Sequence, residues 1–223
     1  MWSRTFERFT PGRVPLVGPI AVIVSDWTRP RTGQSRMFEL PAIERLTFAQ
    51  PWWPLALFGS VGLVSVAVAL LEGVTPLVAA SGYLAGLFVW TLVEYGMHRF
   101  SFHHAPTSER QVAFGYLVHG VHHAYPDDPR RWVMPLVVTL PIGIALFSGM
   151  YAALGIAGLS AFAGFAHGYV TYDTVHWAIH RNVFGTRLGR YLRRHHLQHH
   201  HATPDRRYGV SSPIWDVVFR TLQ

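Results

Sequence analysis

The 223-residue chain contains no cysteine, so disulfides and thiolate metal sites are both excluded and any metal must be held by nitrogen or oxygen. Lysine is absent as well, and all 19 basic residues are arginine. Charge of either sign is scarce. Only 14% of residues are charged against 50% hydrophobic, too little charge for a soluble domain of average usage. The net charge of +7 comes without any nucleic-acid-binding motif, and the arginines flank apolar segments, which points to anionic headgroups and away from nucleic acid. There is no internal repeat and no low-complexity stretch.

Long apolar runs take the place of charge. None of the residues Pro54–Leu71 or Pro76–Val93 is charged, and only Glu72-Gly73-Val74-Thr75 joins the two runs. The pattern recurs over Val133–Leu154 and Ile156–Tyr172, with Gly155 placed for a tight turn. At about 1.5 Å per residue each run is long enough to cross a hydrocarbon core. The expected architecture is all-α: an integral membrane four-helix bundle of two hairpins, with spans at about 54–71, 76–97, 133–154 and 156–176. A helical cap would be built from 98–132 and 177–223.

Arginine occurs before the first span, between the second and third, and after the fourth, but in neither short connection. The positive-inside bias then places both termini and the cap in the cytoplasm of a multi-pass protein, in a bacterial cytoplasmic membrane or the endoplasmic reticulum. Residues 1–50 read as a cytoplasmic or interfacial arm. The apolar run Val14–Val24, interrupted by Pro15 and Pro19, is too short to span, and no small-residue cleavage site follows it. Trp27, Trp52 and Trp53 are expected near headgroups.

Ten of the 14 histidines fall into four clusters: His98 and His103; His119, His122 and His123; His176 and His180; His196, His199 and His200. Residues three and four apart share a helix face, so each of the last three clusters forms a prepared partial ligand set. His98 and His103 stand roughly 140° out of phase on a regular helix, so that helix should end or bend between them. Ten imidazoles exceed the needs of one metal. His104, His195 and His201 read as neighbours of ligands, and His167 as a lone imidazole in an apolar run. Asp173, three before His176, and Glu94, four before His98, are candidates to orient ligand imidazoles by accepting their second N–H. Asp127, Asp128 and Asp216 read as solvated or arginine-paired.

The chain has no Glu-x-x-His pair near the clusters, unlike soluble di-iron bundles. Imidazole alone does not choose among iron, zinc and copper. Location favours iron: a metal pair beside the bilayer meets acyl chains, and oxidising their C–H bonds takes iron with O2, which redox-inert zinc cannot replace.

The clusters and their surroundings resemble the membrane fatty acid hydroxylase superfamily, also called the sterol desaturase family, and within it the fatty acid 2-hydroxylases. The matching segments are Glu94-Tyr-Gly-Met-His-Arg-Phe-Ser-Phe-His103, His119-Gly-Val-His-His123 through Arg131-Trp-Val-Met-Pro135, and Gly168 through His180. They continue with Tyr191 through His200 and Gly209-Val-Ser-Ser through Trp215-Asp216. The resemblance covers roughly 85–221. It implies that His98, His103, His119, His122, His123, His176, His180, His196, His199 and His200 hold two iron ions, with zinc able to replace them in a purified sample. It also implies O2 as co-substrate and hydroxylation of a bilayer lipid at the carbon next to the acyl carbonyl. Many eukaryotic 2-hydroxylases carry a fused cytochrome b5-like domain. No His-Pro-Gly-Gly haem motif is present here, so a separate donor is expected, a cytochrome b5-like protein or a ferredoxin with its reductase. Arg187, Arg190, Arg193 and Arg194 offer a basic face for it. The same ligand cage would also serve carotenoid or sterol hydroxylation or desaturation. A divalent metal transporter would need ligands at the bilayer midplane, where only His167 qualifies, and a non-catalytic metal protein is the remaining alternative.

Overall fold

A computed structural model describes residues 11–223, so Arg4 and Arg8 lie outside the described residues. In chain order the elements are β1 (Gly12–Val17), β2 (Ile20–Val24), α1 (Pro41–Leu46), α2 (Ser60–Leu71) and α3 (Pro76–Gly96). They continue with α4 (Glu109–Gly115), α5 (Val121–Ala124), α6 (Leu136–Leu154), α7 (Gly158–Arg181), α8 (Arg187–His201) and α9 (Ile214–Val218). Widened π-helical turns occur at Leu55–Gly59, Met97–Phe102 and Tyr116–Gly120. The chain forms two compact units. One holds the residues up to Phe48, Tyr95–Trp132 and Ala178–Gln223, and the other Ala49–Glu94 and Val133–Trp177.

The first unit departs from the all-α expectation. Val14–Val24 lies in an antiparallel hairpin of β1 against β2, with Arg13 opposite Ile23 and Val14 opposite Val22. The interrupting residues explain it. Gly18, at φ +54°, and Pro19 supply a turn, while the flanking valines and isoleucines favour extended backbone. The register shifts between Pro15 and Val17, where proline has no N–H for the ladder. The hairpin packs Val14, Val22 and Val24 with Trp27, Met37 and Phe38 against Val112, Tyr116 and Val121 of the histidine-bearing segment. Trp27 stacks on Tyr116 at 5.5 Å and lies so close to Gly120 that a Cβ there would meet its ring at 2.8 Å.

The second unit contains α2, α6 and most of α3 and α7. Two helical stretches, 76–102 and 129–181, are long and apolar enough to cross a membrane, and the second includes α6 and α7 as separate helices. Gly155, at φ +60°, ends α6 where the sequence placed a turn. Leu55–Leu71 is a shorter apolar helix. Leu63, Leu84, Phe88 and Ile144 point outward, as suits contact with lipid. α3 and α7 approach at small residues: a Cβ on Gly86 would meet the Ala161 carbonyl, and one on Gly164 the Tyr83 carbonyl, both at 1.9 Å.

His167 is part of this packing. Its Nε2–H donates to the Gly59 carbonyl at 3.0 Å, so Nδ1 is left to accept from the Tyr83 hydroxyl at 2.9 Å. A carbonyl can only accept, which fixes this tautomer. Both nitrogens of His167 are therefore engaged in packing within this unit.

Candidate metal centre

The histidines are carried to the site by local backbone chemistry. α8 is capped by Thr186, whose hydroxyl accepts the Gly189 N–H at 3.1 Å, and it buries Leu192, His195, His196, His199 and His200 on one face. Arg187, Arg190 and Arg194 stay exposed. His122 and His123 lie on α5, whose last carbonyl, Ala124, accepts the N–H of Arg31 at 2.7 Å. His119 belongs to the π-helical turn just before it.

The helix ends between His98 and His103, as their spacing requires: it widens into the π turn Met97–Phe102, closed by the His103 N–H on the His98 carbonyl at 3.2 Å, and His103 is the residue just past its end. A turn closed by an i→i+5 bond brings the residue five on round to nearly the same side, which removes most of the roughly 140° offset. The two rings are 4.9 Å apart.

The imidazoles gather into two groups. One donor nitrogen from each of His98, His103, His119, His123 and His199 lies within 4.8 Å of all the others, and the same is true of His122, His180, His196 and His200. His176 is buried one turn before His180 on α7, stacked on Tyr172. His123 of the first group stacks on His200 of the second, with centroids 4.2 Å apart.

Within the groups Nε2 faces Nε2. The separations are 3.1 Å for His98–His119, 2.9 Å for His119–His123, 3.0 Å for His103–His199, 3.1 Å for His180–His196 and 3.0 Å for His196–His200. Two lone pairs repel at that range unless a proton or cation lies between them. Nitrogens about 2.1 Å from one metal and at right angles stand about 3.0 Å apart, so these spacings fit metal ligation. Burial pushes His103, His119, His123 and His200 well below the ordinary imidazole value, and neighbouring histidines push them further. They are therefore neutral and ready to bind.

Two of these imidazoles are oriented by a short loop. The Nδ1–H of His98 donates to the Tyr208 carbonyl at 2.5 Å, and that of His199 to the Arg206 carbonyl at 2.6 Å. His180 stacks on Trp132, whose indole N–H is fixed on the Pro126 carbonyl at 2.8 Å. The two orienting carboxylates suggested by the sequence, Asp173 on α7 and Glu94 on α3, are both buried.

The three other acidic side chains read as solvated or arginine-paired turn out differently from one another. Asp128 is arginine-paired, as expected, through Arg130 at 2.8 Å, but it is fully buried and also accepts from Ser35. Asp127 is exposed. Asp216 is neither solvated nor arginine-paired: it is fully buried and accepts from His195 at 3.1 Å. Burial works to raise its carboxyl, but donors from His195, Thr221, Gly209 and Tyr208 prevail and hold it below the usual range. Its only sequence signal was its place in the segment Gly209–Asp216. The carbonyls of Arg206 and Tyr208 leave no signal at all.

A family model for fatty acid hydroxylases matches residues 83–221. The chain is 34% identical over 174 residues to ceramide very long chain fatty acid hydroxylase SCS7 of Saccharomyces cerevisiae, covering 76% of this chain and 45% of that one. It is 34% identical over 199 residues to dihydroceramide fatty acyl 2-hydroxylase FAH1 of Arabidopsis thaliana, covering 86% and 80%. A solved structure of full-length scs7p, with only the hydroxylase domain visible, matches with a TM-score of 0.79 at 34% identity, over 87% of this chain and 75% of that one. The chain thus spans less than half the length of the yeast relative.

Proposed function

The chain belongs to the fatty acid hydroxylase family, and on that premise we propose that it hydroxylates the acyl chain of a membrane lipid, a fatty acid or sphingolipid acyl group, at the carbon next to the carbonyl. The observation that carries this reading is the pair of adjoining all-histidine clusters with converging Nε2 atoms. His98, His103, His119, His123 and His199 would hold one iron. His122, His180, His196 and His200, with His176 from the same helix as His180, would hold the other. Iron with O2 supplies the oxidising power that an unactivated C–H bond demands. One oxygen atom enters that bond as hydroxyl and the other leaves as water, with two electrons drawn from an electron-donor protein and two protons from solvent.

The chain's own residues set the conditions. The Arg206 and Tyr208 carbonyls keep Nδ1 of His199 and His98 protonated and their Nε2 lone pairs on the metal side. Burial of the imidazoles excludes water that would quench the oxidant. Arg187, Arg190 and Arg194, exposed on α8, form the basic face for an acidic electron donor. With spans at 54–71, 76–97, 133–154 and 156–176, the ends of the second and fourth spans fall on the side of both termini, which arginine placement assigns to the cytoplasm.

Lipid mass spectrometry of cells with and without the chain tests this. The expected result is a gain of one oxygen at the acyl 2-position, abolished by His122→Ala. Absence of oxygenated lipid in every class would overturn it, and oxygen appearing only on a sterol or carotenoid would reassign the substrate.

A further inference from the structure

We propose that Asp216 is a positioning residue for the first histidine cluster, holding the Arg206–Gly209 loop so that two of its carbonyls fix the orientation of His98 and His199. The inference rests on the metal reading above and extends it to residues outside the ligand set.

An ionised carboxylate offers about four acceptor sites, and Asp216 has four donors. Oδ1 accepts from the Tyr208 N–H at 2.8 Å and the Thr221 hydroxyl at 2.7 Å, and Oδ2 from the Gly209 N–H at 2.8 Å and His195 Nε2 at 3.1 Å. Two of these donors are consecutive backbone amides of the loop. Gly209 is needed for the approach, because a Cβ there would meet the Ser212 carbonyl at 2.1 Å and Asp216 Oδ2 at 3.0 Å.

Between the two orienting carbonyls lies Arg207, left-handed at φ +60°, a conformation that a non-glycine residue keeps only where its surroundings impose it. Its N–H donates to the Thr221 carbonyl at 2.9 Å. The C-terminal segment thus holds the loop at two places, through the Asp216 carboxylate and the Thr221 backbone. Having given its proton to Asp216, the Thr221 hydroxyl accepts from Tyr95 at 2.9 Å, three residues before His98. His195 adjoins the ligand His196 in sequence, yet its Nε2 serves this hub.

Changing Asp216 to Asn leaves one oxygen for four donors and turns an NH2 group toward the others. The loop would release its register, and with it the Nδ1 partners of two first-cluster ligands. The loop carbonyls of Arg206 and Tyr208 accept from His199 and His98, both of the first cluster.

The test is zinc binding to the purified full chain in detergent, stripped with chelator and titrated while bound zinc is counted. The wild type should take up two ions. Asp216→Asn should weaken one by roughly 10–100-fold, the range for loss of an outer-shell partner, and leave the other unchanged. Thr221→Val should weaken the same ion less, and Thr221→Ser, which keeps the hydroxyl, should restore it. Equal weakening of both ions, or of neither, would overturn the assignment, and if Asp216→Asn does not fold, the Thr221 pair decides by the same criterion. A wild-type chain that binds no zinc would overturn the metal reading itself.

Discussion

A backbone carbonyl can only accept a hydrogen bond, and that fact decides the tautomers of three histidines here. His98 and His199 give Nδ1–H to carbonyls and present Nε2 to the cluster, whereas His167 gives Nε2–H to Gly59 and is a packing residue. Sequence spacing was enough to single out the ten clustered histidines, because i, i+3 and i+4 relations survive folding. It could not show their tautomers, since a carbonyl partner carries no side-chain signature. Neutrality has a consequence for stability. His103, His119, His123 and His200 lie well below 6.5 in the folded chain, so below about that pH the unfolded chain binds more protons than the folded one. Stability of the metal-free chain should therefore fall as pH drops from 7 toward 5 and stay nearly level from 7 to 8.5. Thermal unfolding in detergent across that range checks it, and a midpoint insensitive to acidification would contradict the buried, neutral state of these rings.

At the scale of elements, the widened turns do what a regular helix cannot. The π turn Met97–Phe102 brings residues five apart to one side, and a second π turn at Tyr116–Gly120 carries His119. A period-based reading assumes 3.6 residues per turn, so it saw a mismatch at His98 and His103 without seeing its resolution. The apolar helices were legible to within a few residues, as the limits of α3 and α6 show, because their length and lack of charge are one-dimensional properties. The β-hairpin was not, since eleven apolar residues with two prolines fit several structures until Val22 finds a partner in Val14. Phe100 lies in the first π turn with its side chain exposed. Inserting one alanine after it would set His98 and His103 six residues apart, roughly 120° out of phase on a regular helix, and should cost about one bound metal per chain. Phe100→Ala, which keeps the turn length, should retain both metals. Elemental analysis of the two purified variants separates register from side chain, and full occupancy in the insertion would show that the spacing of the two histidines is dispensable.

For the molecule as a whole, the described part of the N-terminal arm belongs to the unit that carries nine of the ten clustered histidines. Its Glu44 accepts the Met37 and Phe38 N–H groups at 2.9 and 2.8 Å and receives Arg131 at 2.6 Å, joining residues 87 apart in sequence. Arg131 also donates to the Ser35 hydroxyl at 2.7 Å and the Thr47 carbonyl at 2.9 Å, so one guanidinium ties three points of the arm to the segment that ends in Trp132. With only 2% of the Arg131 side chain exposed, removing its counter-charge leaves a cation in a poorly solvated site. Glu44→Gln should therefore destabilise this unit by about 3–5 kcal/mol, whereas replacing both partners with methionine should cost far less, since neither charge of the pair is left without the other. The loosening should also reach the metal site, because Trp132 follows Arg131 directly and stacks on His180. Denaturant unfolding of the single and double variants, with zinc counted on each, measures both effects. A Glu44→Gln chain as stable as wild type would mean that the arm rests on the histidine unit without bracing it.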